Sequence, residues 1–170
     1  MSVFSFIKES GEKLFGIEKA KAEESNEISD SREAEEQKED KKAIERLKKR
    51  FDEAGLKVDN LEIEIEGDTV ILSGNAKDQA TREKLVLLIG NSEGIAKVDE
   101  RLQMTKNEQE SVFHTVERDD DLKKIAKDHY GDQEKYQFIV EANHPMLQDP
   151  AKIYPGQVLR IPVIENKETV

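Results

Sequence analysis

The stretch that decides the fold of the last third of the chain runs from His114 to Pro162 and reads HTVERDDDLKKIAKDHYGDQEKYQFIVEANHPMLQDPAKIYPGQVLRIP. Its opening residues combine apolar and β-branched side chains, which is typical of a strand. Two short amphipathic segments follow, with Ile125 on the apolar face of the first and Ile139 on that of the second. Such helical spacing predicts two short helices. The Pro-Gly turn at 155–156 then leads into a second apolar run, so the pattern predicts the order strand, helix, helix, strand.

This β-α-α-β arrangement closely resembles a LysM domain. The matching residues are Asp120 where the first helix begins, Tyr130-Gly131 where it ends, and IYPGQVLRIP at 153–162. LysM domains usually bind N-acetylglucosamine polymers in a shallow groove beside the loop at 119–121. The family has Gly-Asp-Thr in that loop, whereas this chain has three aspartates. We expect Asp120 to cap the helix and the three carboxylates to line the groove, which argues against a glycan ligand.

Charge and composition restrict the possible partners. The chain has 170 residues, of which 38% are charged, and its net charge is -11. This length can hold two small domains. A negative net charge argues against nucleic acid, because phosphate binding needs clustered Lys and Arg. It also disfavours adsorption to anionic lipid, and no stretch has the apolar length of a membrane span.

Catalytic and metal-binding patterns are missing from the sequence. There is no cysteine, so disulfides and thiolate chemistry are excluded. The spacing of His114, His129 and His144 does not suggest zinc ligands. We also find no nucleophile paired with a base and no glycine-rich phosphate loop. The sequence therefore predicts a protein that is not an enzyme.

Two segments precede the first domain. Residues 1–17 contain the amphipathic stretch MSVFSFIKESGEKLFG, which predicts a short helix that ends or kinks at Gly11. That helix either packs on the next domain or lies on a membrane surface, and its few basic residues favour packing. No signal peptide is recognisable, so we expect a cytoplasmic location. Residues 18–39 are mostly charged and predict an acidic linker, either a solvated spacer or a fraying helix.

Residues 40–104 predict a compact α-β-β-α-β unit. The first helix ends near Gly55, and alternating residues then form a hairpin whose turn is Gly67-Asp68. A second helix from about 78 to 89 and a third strand from 95 to 102 complete the unit. Two helices on one face of a small mixed sheet bury its apolar side most simply.

This unit resembles a BON domain, on the hairpin VDNLEIEIEGDTVILSGNA and the segment GNSEGIAKVDERL that follows the second helix. The predicted fold class is therefore α+β. A BON domain at 40–104 is followed by a linker at 105–111, a LysM domain at 112–164 and a tail at 165–170.

Nearly the whole chain resembles the bacterial cytoplasmic potassium-binding proteins. The most specific matches are FIKESGEKL, IGNSEGIAKVD and EANHPMLQDPAKIYPGQVLRIP. The resemblance implies a monomeric K⁺ sensor or buffer that also accepts Rb⁺ and Cs⁺, with closure of the two domains on ion binding. Two alternatives remain: a LysM adaptor that binds peptidoglycan, and a membrane-associated BON protein.

The resemblance also implies which atoms hold the ion. The ligands would be backbone carbonyl oxygens of Ile7, Ser10, Glu12, Gly90, Ser92 and Ile95. Both segments contain a glycine at which a helix is predicted to end, and the last carbonyls of a helix lack partners within it. Neutral oxygens suit K⁺, whereas carboxylates favour Ca²⁺ or Mg²⁺. On spacing alone, Gly11, Gly90 and Gly94 are also consistent with ordinary helix stops.

Overall fold

The structure, a computed structural model, describes residues 2–6, 15–16 and 29–165. The elements follow the order β1 (Ser2–Ser5), β2 (Phe15–Gly16), α1 (Ser29–Glu53), β3 (Val58–Glu66), β4 (Thr69–Ala76), α2 (Gln79–Gly90), β5 (Ser92–Glu93), β6 (Lys97–Met104), β7 (Val112–Thr115), α3 (Leu122–Tyr130), a 3₁₀ turn (Gln133–Lys135), α4 (Tyr136–Ala142) and β8 (Val158–Ile161). This mixed content confirms the α+β class. No helix in the described part of the chain is long and apolar enough to cross a membrane.

The first domain is built on a four-stranded sheet in the order β1-β6-β4-β3. The hairpin strands β3 and β4 are antiparallel, as the alternation in LEIEIE predicts. Strand β6 runs parallel to β4, and α2 forms the crossover between them. Both helices pack with the sheet around one core that includes Leu47, Phe51, Ile63, Val70, Leu72, Leu85 and Val98.

The predicted N-terminal helix is wrong for residues 2–5, which form strand β1. This strand pairs antiparallel with β6, with Ser2 opposite Glu100 and Ser5 opposite Lys97. Val3 is 64% exposed, whereas Phe4 and Phe6 pack against the core. Alternate residues therefore face the protein, which is the period of a strand rather than a helix. Residues 7–14 lie outside the described part of the chain.

The acidic stretch predicted as a linker at 18–39 is helical from Ser29 onward, where α1 begins. Of the two predicted alternatives, the structure shows the helix rather than the spacer for residues 29–39, and residues 17–28 lie outside the described range. Glu, Lys and Ala are strong helix formers, so this segment continues the helix whose later turns pack on the sheet. Residues 34–38 are exposed, and burial begins at Ala43.

The second domain pairs β7 with β8 and packs α3 and α4 on this short ribbon. Its core contains Ile125, Ile139, Leu147 and Leu159. Helix α3 is capped by Asp121, whose carboxylate accepts the Lys124 N–H at 2.8 Å, and the expected cap Asp120 is one residue too early. Leu122 is buried and is the first residue of α3, so the cap is the residue immediately before it.

The two domains share part of one core. Val158 of β8 and Met146 belong to the buried cluster of the first domain, and the Phe113 ring lies 5.3 Å from the Phe4 ring. Helix α2 lies between the sheet and β8, so residues 85–90 are all buried. The docked arrangement thus places the C-terminal end of α2 beside the second domain.

Candidate ion-binding site

The turn that follows α2 is almost completely buried. The exposed fraction is 0% for Ser92, 4% for Ile95 and 7% for Asn91. The Asn91 N–H donates to the Leu87 carbonyl at 2.9 Å, and the Ser92 hydroxyl donates to the Leu88 carbonyl at 2.8 Å. These bonds satisfy two carbonyls of the last helical turn. The chain then reverses within four residues, where the Ile95 N–H donates to the Ser92 carbonyl at 3.4 Å.

The N-terminal segment contacts this turn at two points. The Phe6 ring lies directly over Gly90, where an added Cβ would be only 2.0–2.3 Å from three ring carbons. The Phe6 N–H also donates to the Ala96 carbonyl at 2.8 Å. At the second point, β2 pairs parallel with β5, with Phe15 opposite Ser92. Gly90 is therefore needed for space rather than for an unusual backbone conformation.

Three of the six predicted site residues, Gly90, Ser92 and Ile95, lie in this turn. Ile7, Ser10 and Glu12 lie outside the described residues. The described residues on either side of that gap, Phe6 and Phe15, both contact the turn.

The chemistry of the turn differs from that of a divalent-metal site. In the described ranges, no group of three or more His, Asp or Glu side chains is placed to hold a metal ion. The turn offers backbone carbonyls at the C-terminal end of a twelve-residue helix, where the helix dipole is negative. Such an arrangement can attract a cation without carboxylate ligands.

Asn91 connects the turn to the LysM domain. Its side-chain amide donates to the Val158 carbonyl at 2.9 Å, and its side-chain oxygen accepts the Val158 N–H at 2.9 Å. One asparagine thus replaces a neighbouring strand for one residue of β8. Two residues further along β8, the side chain of Asn143 makes the same two hydrogen bonds to the backbone of Arg160, both at 2.8 Å.

Glu83 forms the second polar link between the domains. One carboxylate oxygen accepts from the Arg160 guanidinium, and the other accepts from the Gln79 amide and the Ser111 N–H, both at 2.7 Å. Burial alone raises the pKa of Glu83, but these three donors lower it below the usual value. Ser111 belongs to the segment predicted as a linker, and its N–H is held against α2.

Sequence reasoning missed Asn91, Glu83 and Arg160 as interface residues. The sequence does contain one signal of this interface, the run LVLLI at 85–89, because these five residues leave α2 without a polar face over more than one helical turn. A helix that is apolar all round is buried on all sides. This run indicates that a second body covers α2, although it does not identify that body.

The predicted glycan groove has a different lining from the one expected. Asp120 turns inward, where its carboxylate contacts His114 Nε2 and Lys124 Nζ, each at 2.9 Å. Asp121 caps α3 and is the one member of the aspartate triplet beside the groove, whose other lining residues are Leu122, Lys123, Lys124, Lys127, Gln133, Tyr136, Pro150 and Ala151. The groove therefore presents three lysines and one of the three expected carboxylates.

Two of the three histidines meet beside this loop. His129 Nε2 and His114 Nδ1 share a hydrogen bond of 3.1 Å. Burial and the neighbouring His114 lower the pKa of His129. With Asp120 on the far side of His114, the three side chains form a hydrogen-bonded row at the surface of the LysM domain.

The fold and these contacts define a two-domain protein in which a BON domain carries a LysM domain docked on its second helix. The BON domain family matches residues 39–106, and the LysM domain family matches residues 114–162. The chain is 36% identical over 163 residues to the Potassium binding protein Kbp of Escherichia coli O6:H1, covering 95% of this chain and 99% of that protein. The chain therefore belongs to the Kbp family. An uncharacterized protein of Deinococcus radiodurans is 33% identical over 107 residues, covering 56% of this chain and 42% of that protein.

Proposed function

We propose that this protein binds K⁺, and also Rb⁺ and Cs⁺, as a monomeric cytoplasmic sensor or buffer rather than an enzyme. The ligands are backbone carbonyl oxygens of Gly90, Ser92 and Ile95, together with those of Ile7, Ser10 and Glu12. The observation that carries the proposal is the contact of the N-terminal segment with both sides of the 90–96 turn, through Phe6 and through β2.

The chemistry of the turn supports a large monovalent cation. K⁺ sheds its hydration shell more readily than smaller ions, and rings of neutral carbonyls replace that shell in potassium channels. A carbonyl oxygen has two lone pairs, so the hydrogen bond that Ser92 accepts from Ile95 is compatible with ion coordination. The burial of Ser92 and Ile95 excludes competing water from that side of the ion. The family relation to a protein named for potassium binding supports the identity of the ion.

We further propose that ion binding closes the two domains on each other. The turn and the LysM strand β8 are in direct contact through Asn91, so a change in the conformation of the turn alters the hydrogen bonds at the interface. The closing units are the BON domain at 40–104 and the LysM domain at 112–164, joined by residues 105–111. In this function the LysM domain responds to the ion and does not bind sugar.

Ion titrations of the full chain test the proposal. Calorimetry at constant ionic strength, balanced with choline chloride, should show binding of K⁺, Rb⁺ and Cs⁺ and little binding of Na⁺. Small-angle scattering should show compaction with the same three ions. At an ion concentration a hundred times the Kd, a ligand of the native state adds about 2.7 kcal/mol to the free energy of unfolding. Equal responses to Na⁺ and K⁺ would refute the proposal.

Ser92→Ala distinguishes carbonyl ligands from hydroxyl ligands. The substitution keeps the backbone oxygen but removes the hydroxyl that donates to the Leu88 carbonyl. We expect the melting temperature to fall while the Kd for K⁺ stays within about threefold of wild type, since one hydrogen bond contributes about 1 kcal/mol to stability. A loss of K⁺ binding in a folded variant would mean that the hydroxyl is the ligand.

A further inference from the structure

We propose that Asn91 is the positioning residue through which the LysM domain holds the ion-binding turn in its coordinating geometry. The inference rests on the proposed function, because it concerns regulation of the same site. Asn91 stands between Gly90 and Ser92 in the chain, and its side chain is one of the buried polar groups of the protein. Both ends of its amide bond the backbone of Val158, 67 residues away.

The peptide planes on either side of Asn91 explain how it acts. A peptide unit is rigid, so the direction of the Gly90 carbonyl is fixed by the orientation of the Asn91 N–H in the same plane. That N–H donates to the Leu87 carbonyl. The Asn91 side chain starts from the same Cα and is held at its far end by two hydrogen bonds to β8. Rotation of the backbone at Asn91 would therefore move a carbonyl ligand and break the contact with β8 together.

Two features of β8 give this contact its effect. Val158 is buried and packs in the core of the BON domain, so an unpaired peptide there would be costly. The other edge of β8 is already paired with β7, which leaves Asn91 to supply the partner for Val158. Undocking the LysM domain removes that partner and frees the turn.

Coupling of this kind acts in both directions. If docking orders the turn and raises its affinity for K⁺, then K⁺ must strengthen docking by the same factor. Loss of the Asn91 amide should therefore weaken ion binding and also abolish the effect of the ion on the LysM domain.

Asn143 provides a matched control within the same strand. It makes the same pair of backbone contacts, to Arg160, but from the residue that follows α4 in the LysM domain itself, and its amide also donates to the Ile139 carbonyl at 2.7 Å. Asn143→Ala removes an equivalent amide from the next outward-facing residue of β8 without touching the turn. Both asparagines follow a helix and have negative φ, so alanine fits each backbone.

The experiment compares wild type, Asn91→Ala and Asn143→Ala as full-length chains. K⁺ and Na⁺ titrations by calorimetry give the Kd, and amide hydrogen exchange at Ser111, whose N–H donates to Glu83 across the interface, reports docking. We expect Asn91→Ala to raise the Kd for K⁺ by about five- to fiftyfold, within the usual range of coupling between sites. Asn143→Ala should lower the melting temperature but leave the Kd within about twofold of wild type. In wild type, K⁺ should slow exchange at Ser111, and in Asn91→Ala it should not.

The outcomes separate this inference from the proposed function. If wild type does not prefer K⁺ to Na⁺, the proposed function fails. If wild type binds K⁺ selectively and folded Asn91→Ala binds it within twofold of wild type, the role of Asn91 is refuted. An equal loss of affinity in Asn143→Ala also refutes it, because general loosening of β8 would then be the cause. Should Asn91→Ala not fold, Asn91→Ser serves in its place, since serine is neutral and too short to reach both atoms of Val158.

Discussion

Gly90→Ala tests the contact between the N-terminal segment and the candidate site. An added Cβ would lie 2.0–2.3 Å from carbons of the Phe6 ring, well inside van der Waals contact. Gly90 is the last residue of α2, and its φ is not in the left-handed region, so the backbone itself accepts alanine. The clash can be relieved when the Phe6 ring leaves its position.

The size of the effect follows from what Phe6 loses. Complete burial of a Phe side chain contributes about 1.5–3 kcal/mol, and this half-buried ring should contribute about 1–2 kcal/mol. The hydrogen bond from Phe6 to Ala96 adds about 1 kcal/mol. Alanine gains up to about 1 kcal/mol over glycine as a helical residue, but this gain is present with and without the Phe6 ring and cancels in the coupling. We therefore expect a coupling of about 2–3 kcal/mol between Gly90 and Phe6.

A double-mutant cycle measures this coupling. Urea unfolding of wild type, Gly90→Ala, Phe6→Ala and the double variant gives the four free energies. Gly90→Ala should destabilise wild type but be neutral or stabilising when Phe6 is already Ala. The control is Gly94→Ala, which meets no atom within 4 Å and is strained by its φ of +84°. Its cost should be the same in both backgrounds. Additive costs for Gly90 and Phe6 would refute the close contact.

Two further predictions concern the interface and the LysM loop. The lowered pKa of Glu83 means that its bond to Arg160 stabilises the docked state above the usual carboxyl pKa, and this stabilisation is lost as the pH falls through the lowered value. Scattering should therefore show the domains opening as the pH falls below the usual carboxyl range and through this lowered pKa, and Glu83→Gln should open them at neutral pH and flatten the dependence. A neutral-pH profile of Glu83→Gln identical to wild type would contradict this. Asp121→Ala should lower the free energy of unfolding by about 1 kcal/mol because it removes the cap of α3, whereas Asp119→Ala should change the melting temperature little. Equal shifts of the melting temperature in the two variants would show that Asp121 is not the cap.

The local patterns of the sequence account for most of the fold. The alternation of Leu61, Ile63 and Ile65 with glutamates defines the hairpin, and the spacing in the last third predicts the LysM domain. The strand β1 could not be read in this way. Four residues such as VFSF fit one turn of an amphipathic helix as well as a strand, and the choice depends on a free edge of β6 far along the chain.

The candidate site is less accessible to sequence reasoning for a chemical reason. Every residue carries a carbonyl oxygen, so a site made of carbonyls has no characteristic side chains. Resemblance to a family suggested Gly90, Ser92 and Ile95, but nothing local marked Asn91 as different from other residues at a helix end. Its partner is 67 residues away in another domain, and only the docked arrangement brings them together.

Strand β1 has a consequence for how the protein is made. Ser2 pairs with Glu100, so residues 2–5 leave the ribosome before the strand with which they pair, which lies nearly at the end of the first domain. At about 5–20 residues per second, synthesis of the intervening chain takes roughly 5–20 s. During that interval the hairpin can form from neighbouring residues, whereas the ring of Phe6 has no Gly90 to cover. Strand β1 is thus translated before its partner and docked late, and the contact between Phe6 and Gly90 is completed among the last parts of the BON domain.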